Sequence, residues 1–151
     1  MSVMPAGSST GGVVHSIQIC PGHRKPMQMV NQVEAVGNLG LKNDRHAIAE
    51  SSRQVLLIEK EILNVLGLQP GQVKENITTS GIAIMRLPYG RRLQIGREVV
   101  LEITKQCSPC SRMEEIRPGL LGEIAGRRGI LARVAVGGTI HGGDRIELLA
   151  E

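Results

Sequence analysis

From Val13 to Leu149 the apolar residues fall into short runs broken by glycine, the pattern of strands joined by tight turns. VVHSIQI, Val13 to Ile19, alternates well enough for a first strand. RQVLLIEKEILNVLGL opens with a β-type run at Val55 to Ile58. It continues with Ile62, Leu63, Leu66 and Leu68 at near-helical spacing, with Gly67 at its end and Pro70 and Gly71 just beyond. That predicts a strand followed by a short helix. VKENITT, RRLQIG, EVVLEIT, ILARVAV and DRIELL are five further strand candidates, separated by the turn-like YG, IGRE and GGTIHGGD. RPGLLGEIAGRRG has room for one short helix between its glycine and proline breakers. Nineteen glycines in this arrangement favour a closed or curved sheet, where glycine makes the corners. The expected fold class is mainly β, a β-barrel with a few short helices.

Length adds that one domain accounts for all 151 residues. Residues 1–12, MSVMPAGSSTGG, read as a flexible tail before a domain over 13–151. The tail lacks the basic start and apolar run of a signal peptide, and no stretch approaches the roughly 20 apolar residues of a membrane span, so no membrane partner is expected. Apolar residues make up 41% of the chain, yet its aromatic content is Tyr89 alone. The core must therefore be aliphatic, and base stacking on rings is starved of material, which argues against a nucleic-acid partner.

The net charge of +4 is modest, but the positive residues are grouped in HRK (His23 to Lys25), GRR (Gly90 to Arg92) and GRRG (Gly126 to Gly129). Arginine beside exposed backbone N–H groups suits phosphate or another compact anion better than a long duplex. Three cysteines are odd in number and too few for a secreted disulfide scaffold, which points to a reducing, cytoplasmic setting.

Two of those cysteines, Cys107 and Cys110, stand in KQCSPCSRMEEI. A structural zinc site needs four ligands, and only one such knuckle exists, with His15, His23, His46 and His141 far from it and from each other in the chain. A dithiol redox pair has the right local shape but comes late in a β-rich chain, not at the start of a βαβ unit. A single reactive thiolate is the third option, with Lys105, Arg112 and Arg117 as cationic neighbours. Two small buried residues at a strand end are the fourth. Two more segments gather polar groups. GLKNDRHA places Asp44, Arg45 and His46 side by side in a stretch without periodicity, hence in a loop; it is either a solvated turn or part of a site. In KENITTSGI, Glu75 and Asn76 sit between Val73 and Ile77, so one of the pair points inward and needs partners, from the backbone or from a polar ligand.

Taken in order, GLKNDRHA, RQVLLIE, ENITTSGI, LPYGRRLQIGREVVLEITKQCSPCSRMEEI and GRRGILARVAVGGTIHGGDRIEL resemble the MOSC domain, named for the C-terminal domain of molybdenum cofactor sulfurase. The resemblance runs from about Val13 to Leu149. It implies a β-barrel and one characteristic cysteine that ligates molybdenum in the pterin cofactor (molybdopterin) or carries sulfur as a persulfide. Family members with one cysteine in this region keep the one matching Cys110, which leaves Cys107 as an auxiliary thiol or a packing residue. Given that cofactor, residue type and motif position make Arg45, Arg112, Arg128 and Arg133 candidate contacts for the pterin phosphate. Asp44, His46 and Asn76 are candidates for its ring or for a bound oxo or sulfido group. The full sulfurase adds a pyridoxal-phosphate desulfurase domain that this chain lacks, so no pyridoxal phosphate is expected on the chain itself. Three functions follow from the resemblance. The chain is a cofactor-binding protein or sulfur carrier served by a sulfur-donor protein of the cysteine desulfurase type, a molybdenum-dependent reductase of N-hydroxylated compounds needing an electron-transfer partner, or a non-catalytic sensing module.

Overall fold

A computed structural model describes residues 11–150. Its strands are β1 (Gly11–Ile19), β2 (Gln28–Val30), β3 (Gln32–Val36), β4 (Gly40–Leu41), β5 (Val55–Glu59), β6 (Ile77–Ser80), β7 (Arg92–Ile95), β8 (Val99–Gln106), β9 (Ile130–Val136), β10 (Gly138–His141) and β11 (Arg145–Leu148). The helices are α1 (Lys60–Leu66), α2 (Arg112–Ile116) and α3 (Leu120–Glu123), with one 3-10 turn at Ile84–Arg86. Seven strands close a barrel in the order β1, β6, β5, β9, β8, β7, β11, and β11 returns to β1 with Gly11 opposite Glu147 and Val13 opposite Arg145. β5 and β6 are parallel, and α1 connects them. β2 extends the sheet from β1, and β10, β3 and β4 form a separate antiparallel sheet.

The expected tail falls mostly on residues 1–10, which lie outside the described residues. Gly11 and Gly12 already pair in β1, where the sequence reading had placed them in the tail. Every expected strand segment contains a strand, but VKENITT forms one only from Ile77. Its first residues turn instead, with the Lys74 amide donating to the Gly71 carbonyl at 3.0 Å. GGTIHGGD, expected to be a turn, holds β10, which pairs with β3 through Ile140 opposite Val33. Strands of two to five residues such as β2, β3 and β4 are too short for alternation to be read reliably, so these pairings were not visible in the sequence. α1 ends as its spacing predicts. Gly67 takes a left-handed conformation (φ 69°), and the Leu68 amide closes back on Leu63 at 2.8 Å.

Alternation along the strands sorts side chains to the two faces of the barrel wall. On β5, Val55 and Leu57 enter the main core while Leu56 and Ile58 do not; on β9, Ile130 and Ala132 enter it while Leu131 does not. The interior is filled by aliphatic residues such as Ile17, Leu93, Leu101, Ile103 and Ile146, and the β10–β3–β4 sheet adds Val33, Ala35, Leu41 and Ile140 to the same cluster. Ile58 faces outward into a second cluster with Leu63 and Leu66 of α1, Met113 of α2 and Leu120 of α3. The helices therefore coat part of the outer wall. Leu56 and Leu131 lie beside that coat in a small third cluster with Cys107. Among the described residues no helix is long and apolar enough to cross a membrane.

Candidate functional site

The third cluster is the floor of a cleft of about 100 Å³ on the outer wall. Leu56, Leu131 and Cys107 supply the apolar part of its lining, and His46, Arg53, Lys74, Asn76 and Arg128 the polar part. No carboxylate is in the lining. Strand register brings these groups together. β8 and β9 pair as far as Gln106 opposite Ile130, and the Cys107 amide then donates to the Gly129 carbonyl at 2.9 Å. Cys107 thus stands across from the residue that follows Arg128. Gly129 itself has φ 113°, and a Cβ there would come within 2.6 Å of the Leu57 carbonyl oxygen. Glycine at 129 is what lets the Arg128 loop lie this close to β5.

Asp44 and Asn76 clasp the loops around this floor. The Asp44 side chain is fully buried. Its Oδ1 accepts from the Cys20 amide at 2.6 Å and from Asn76 Nδ2 at 3.0 Å; its Oδ2 accepts from the His46 amide at 3.0 Å and lies 3.4 Å from His46 Nδ1. Asn76 also donates to the Gln18 carbonyl at 3.2 Å and accepts from the Leu56 amide at 3.0 Å. Both amide hydrogens of Asn76 are thereby committed, so its role is to hold the loop, and Asp44 aims the imidazole of His46 into the cleft. Gln54 ties the far end of the same loop, accepting from the Val134 amide and donating to the Ile48 carbonyl.

Arg128 is the least compensated group in the cleft. Its residue is 6% exposed, and Nη2 donates to the Val73 carbonyl at 2.6 Å. Nε and Nη1 have no hydrogen-bond partner among the described residues. Glu75, fully buried nearby, does not reach it. One Glu75 oxygen accepts from the Gly71 amide and the Thr78 hydroxyl, and the other is unpartnered among the described residues. Burial pushes the Glu75 carboxyl above its ordinary value, opposed by those two hydrogen bonds and, more weakly, by the charge of Arg128. Lys74 at the cleft holds a left-handed backbone (φ 68°), a conformation unusual for a side-chain-bearing residue.

A basic rim continues from the cleft. The imidazole of His23 is held below its ordinary pKa first by the charge of Arg45, then by burial, then by Arg112 and Arg24. These four side chains therefore share one neighbourhood, on two loops and the first residue of α2, and Arg24 is fastened to α2 by Glu115 at 3.3 Å. Cys110, two residues before Arg112, is exposed, its carbonyl accepting from the Met113 amide as α2 begins.

The structure thus brings His46, Asn76 and Arg128 into one cleft and places Asp44 directly behind them. Arg45 and Arg112 belong to the basic rim, and Cys110 lies outside the cleft lining. Arg133 does not join them. On β9 it faces Glu102 of β8, with Nη2 at 2.6 Å from Oε1, and Arg92 of β7 pairs with the same carboxylate at 3.2 Å. This cross-strand ladder occupies its guanidinium, so it is not a free anion contact. The sequence reading missed Arg53 and Lys74, which no periodicity marks, and it ranked Cys107 as auxiliary although the cleft contains it. Among the described residues no group of three or more His, Cys, Asp and Glu side chains is placed to hold a metal ion.

The MOSC domain model matches residues 37–147. In fold the chain is similar to the crystal structure of YuaD from Bacillus subtilis, with a TM-score of 0.80 at 19% identity over 91% of this chain and 95% of that one. It is similar also to YiiM from Geobacillus stearothermophilus (TM-score 0.73, 18% identity, 92% of this chain and 75% of that one) and YiiM from Escherichia coli (0.70, 16%, 92% and 70%). No curated protein matches it at a significant level.

Proposed function

The chain belongs to the MOSC domain family, and on that premise we propose that it binds the phosphate-bearing pterin of the molybdenum cofactor on the outer β5–β9 wall, with Cys110 as the protein sulfur offered to the metal. The observation that carries this reading is Arg128, a buried guanidinium with two N–H-bearing atoms unused. Such a group is costly unless an anion completes it, and a phosphate oxygen pair matches its fork. The donor set fits the cofactor's anionic end. Arg53 and Lys74 add charge at the same cleft, and the volume of about 100 Å³ suits a phosphate group rather than a whole ring system. Arg45 and Arg112 extend the positive field toward Cys110.

When bound, the cofactor supplies a thiophilic, redox-active metal. The chain's own part is to hold the phosphate on Arg128, to keep His46 oriented through Asp44, and to present the soft thiolate of Cys110. With no multi-residue metal cluster among the described residues, the pterin and one cysteine would share the work of holding the metal. The exposure of Cys110 favours a second use of the same thiol, as a persulfide carrier loaded by a separate desulfurase, since a protein donor must reach the sulfur.

The test is co-expression with the cofactor pathway, followed by molybdenum and pterin analysis of wild type, Cys110→Ala and Arg128→Gln. Stoichiometric metal and pterin in wild type, with metal reduced in Cys110→Ala and both reduced in Arg128→Gln, is the expected result. Equal metal in wild type and Cys110→Ala would remove Cys110 as the ligand.

A further inference from the structure

The geometry of the cleft points to a second reactive thiol. We propose that Cys107 accepts sulfur from a small thiosulfonate dianion of the thiosulfate type, whose sulfonate oxygens are held by Arg128. This goes beyond the cofactor reading and shares with it only the anion cradle.

Three features of the cleft select this class of substrate. First, thiol and guanidinium are placed together by backbone pairing. Cys107 stands across from Gly129, at the roughly 5 Å spacing of paired strands, and Arg128 precedes it. Second, the ionisable lining other than the thiol is basic, namely His46, Arg53, Lys74 and Arg128, which favours a dianion over a neutral ligand. Third, the space is about 100 Å³, room for a tetrahedral oxyanion carrying one further atom and too little for a ring system. A plain phosphate or sulfate would satisfy Arg128 and leave the thiol idle. A thiosulfonate uses both, because its terminal sulfur projects from the oxyanion that the guanidinium holds. The thiol is not otherwise engaged; its closest polar contact is a long one to the Ser108 carbonyl, 3.8 Å. Leu56 and Leu131 pack beside it in the same small cluster.

The step balances without an outside oxidant. The Cys107 thiol loses its proton to solvent, and the thiolate attacks the terminal sulfur. A new S–S bond forms to Cys107 Sγ as the S–S bond of the thiosulfonate breaks. The leaving sulfite keeps the bonding pair, so the sulfonate sulfur gains the two electrons that the thiolate and the transferred sulfur lose. The products are the Cys107 persulfide and sulfite, and a thiol acceptor would discharge the persulfide and reset the site.

The full chain, purified without co-expression of any cofactor pathway, is incubated with thiosulfate near neutral pH. It is then alkylated, weighed intact and mapped by peptide, with sulfite measured in parallel. The expected result is one added sulfur on Cys107, one sulfite released for each sulfur gained, no gain in Cys107→Ser, and slowing by excess sulfate. Arg128→Lys is expected to slow the reaction with thiosulfate about tenfold more than it slows the reaction with an uncharged organic trisulfide, because the bidentate fork is lost. If Arg128→Lys does not fold, Arg53→Ala and the sulfate competition make the same comparison in folded protein. Sulfur on Cys110 alone would overturn the proposal while supporting the carrier reading of Cys110. Equal rates with charged and uncharged donors, or no sulfur on either cysteine, would also overturn it, and the metal analysis of the co-expressed protein judges the cofactor reading separately.

Discussion

Asn76→Asp changes one atom of the clasp beneath the cleft, and its cost can be worked from the hydrogen bonds. The side chain stays isosteric, and its Oδ1 still accepts from the Leu56 amide. Nδ2 becomes an oxygen at 3.0 Å from Asp44 Oδ1 and 3.2 Å from the Gln18 carbonyl, so two donated hydrogen bonds become two oppositions. Two unit charges at that separation repel by about 5 kcal/mol at an effective dielectric constant of about 20. The pair has a less costly alternative, which is to keep one proton between them. At about pH 7, roughly three units above an ordinary aspartate pKa, holding that proton costs about 4 kcal/mol. The unsatisfied Gln18 carbonyl adds about 1 kcal/mol. The variant should therefore lose about 4 to 5 kcal/mol at neutral pH, a large part of the stability of a domain this size. The proton shared in the folded variant has a raised pKa, so the stability it confers is present at low pH and disappears as pH rises. The destabilisation should shrink by about 1.4 kcal/mol for each unit that pH is lowered, reaching about 1 kcal/mol near pH 4. Urea unfolding of wild type and variant across that range measures it. A loss below about 1 kcal/mol at neutral pH, or one that does not change with pH, would refute the assignment of Asn76 as the donor that holds Asp44.

Three further outcomes follow from the same geometry. Glu75 has a folded pKa raised by burial, so its protonated form stabilises the fold below the ordinary value of 4.5 and that contribution is lost as pH rises through the folded pKa. Glu75→Gln keeps an acceptor for Gly71 and Thr78 and should gain stability relative to wild type as pH rises above about 4.5; a difference that is flat with pH would contradict it. Gly129→Ala forces a Cβ to within 2.6 Å of the Leu57 carbonyl at φ 113°, and should cost about 3 kcal/mol in urea unfolding while weakening anion binding, because Arg128 moves with the loop; a cost under about 1 kcal/mol would mean the loop yields freely. Phosphate at about a hundred times its dissociation constant should raise the melting temperature by roughly 5 to 10 °C in wild type and far less in Arg128→Gln, with sodium chloride at equal ionic strength as control.

Much of the barrel is legible because its main strands carry aliphatic runs bounded by polar residues or glycine. Val55 to Ile58 and Ile130 to Val136 each read as strands and each are strands. Alternation within those runs also contains the site, since Leu56 and Leu131 are the residues that face out of the barrel between neighbours that face in. What the sequence could not show is which two outward residues become neighbours, because that depends on the β5–β9 register, Leu56 opposite Leu131. The same holds for two of the four arginines expected to contact phosphate. Arg128 and Arg133 lie five positions apart and look equivalent in the sequence, but Arg133 pairs with Glu102 across a strand pair, while Arg128 sits in a buried loop where Glu75 acts on it through charge and no carboxylate pairs with it among the described residues. Residue type makes Asp44 and Asn76 candidate ligand contacts, whereas their burial and hydrogen bonds make them the clasp that holds His46 in place. Cys107 and Cys110 were separated by motif position alone. The fold puts the first in the cleft and leaves the second exposed outside its lining, a distinction that rests on where β8 ends.

Molybdenum X-ray absorption on the co-expressed, metal-loaded chain tests the cofactor reading most directly, by counting sulfur neighbours of the metal in wild type and in Cys110→Ser. Binding through Cys110 predicts one sulfur fewer in the variant, with the pterin sulfurs retained. The same sulfur count in both proteins would contradict it.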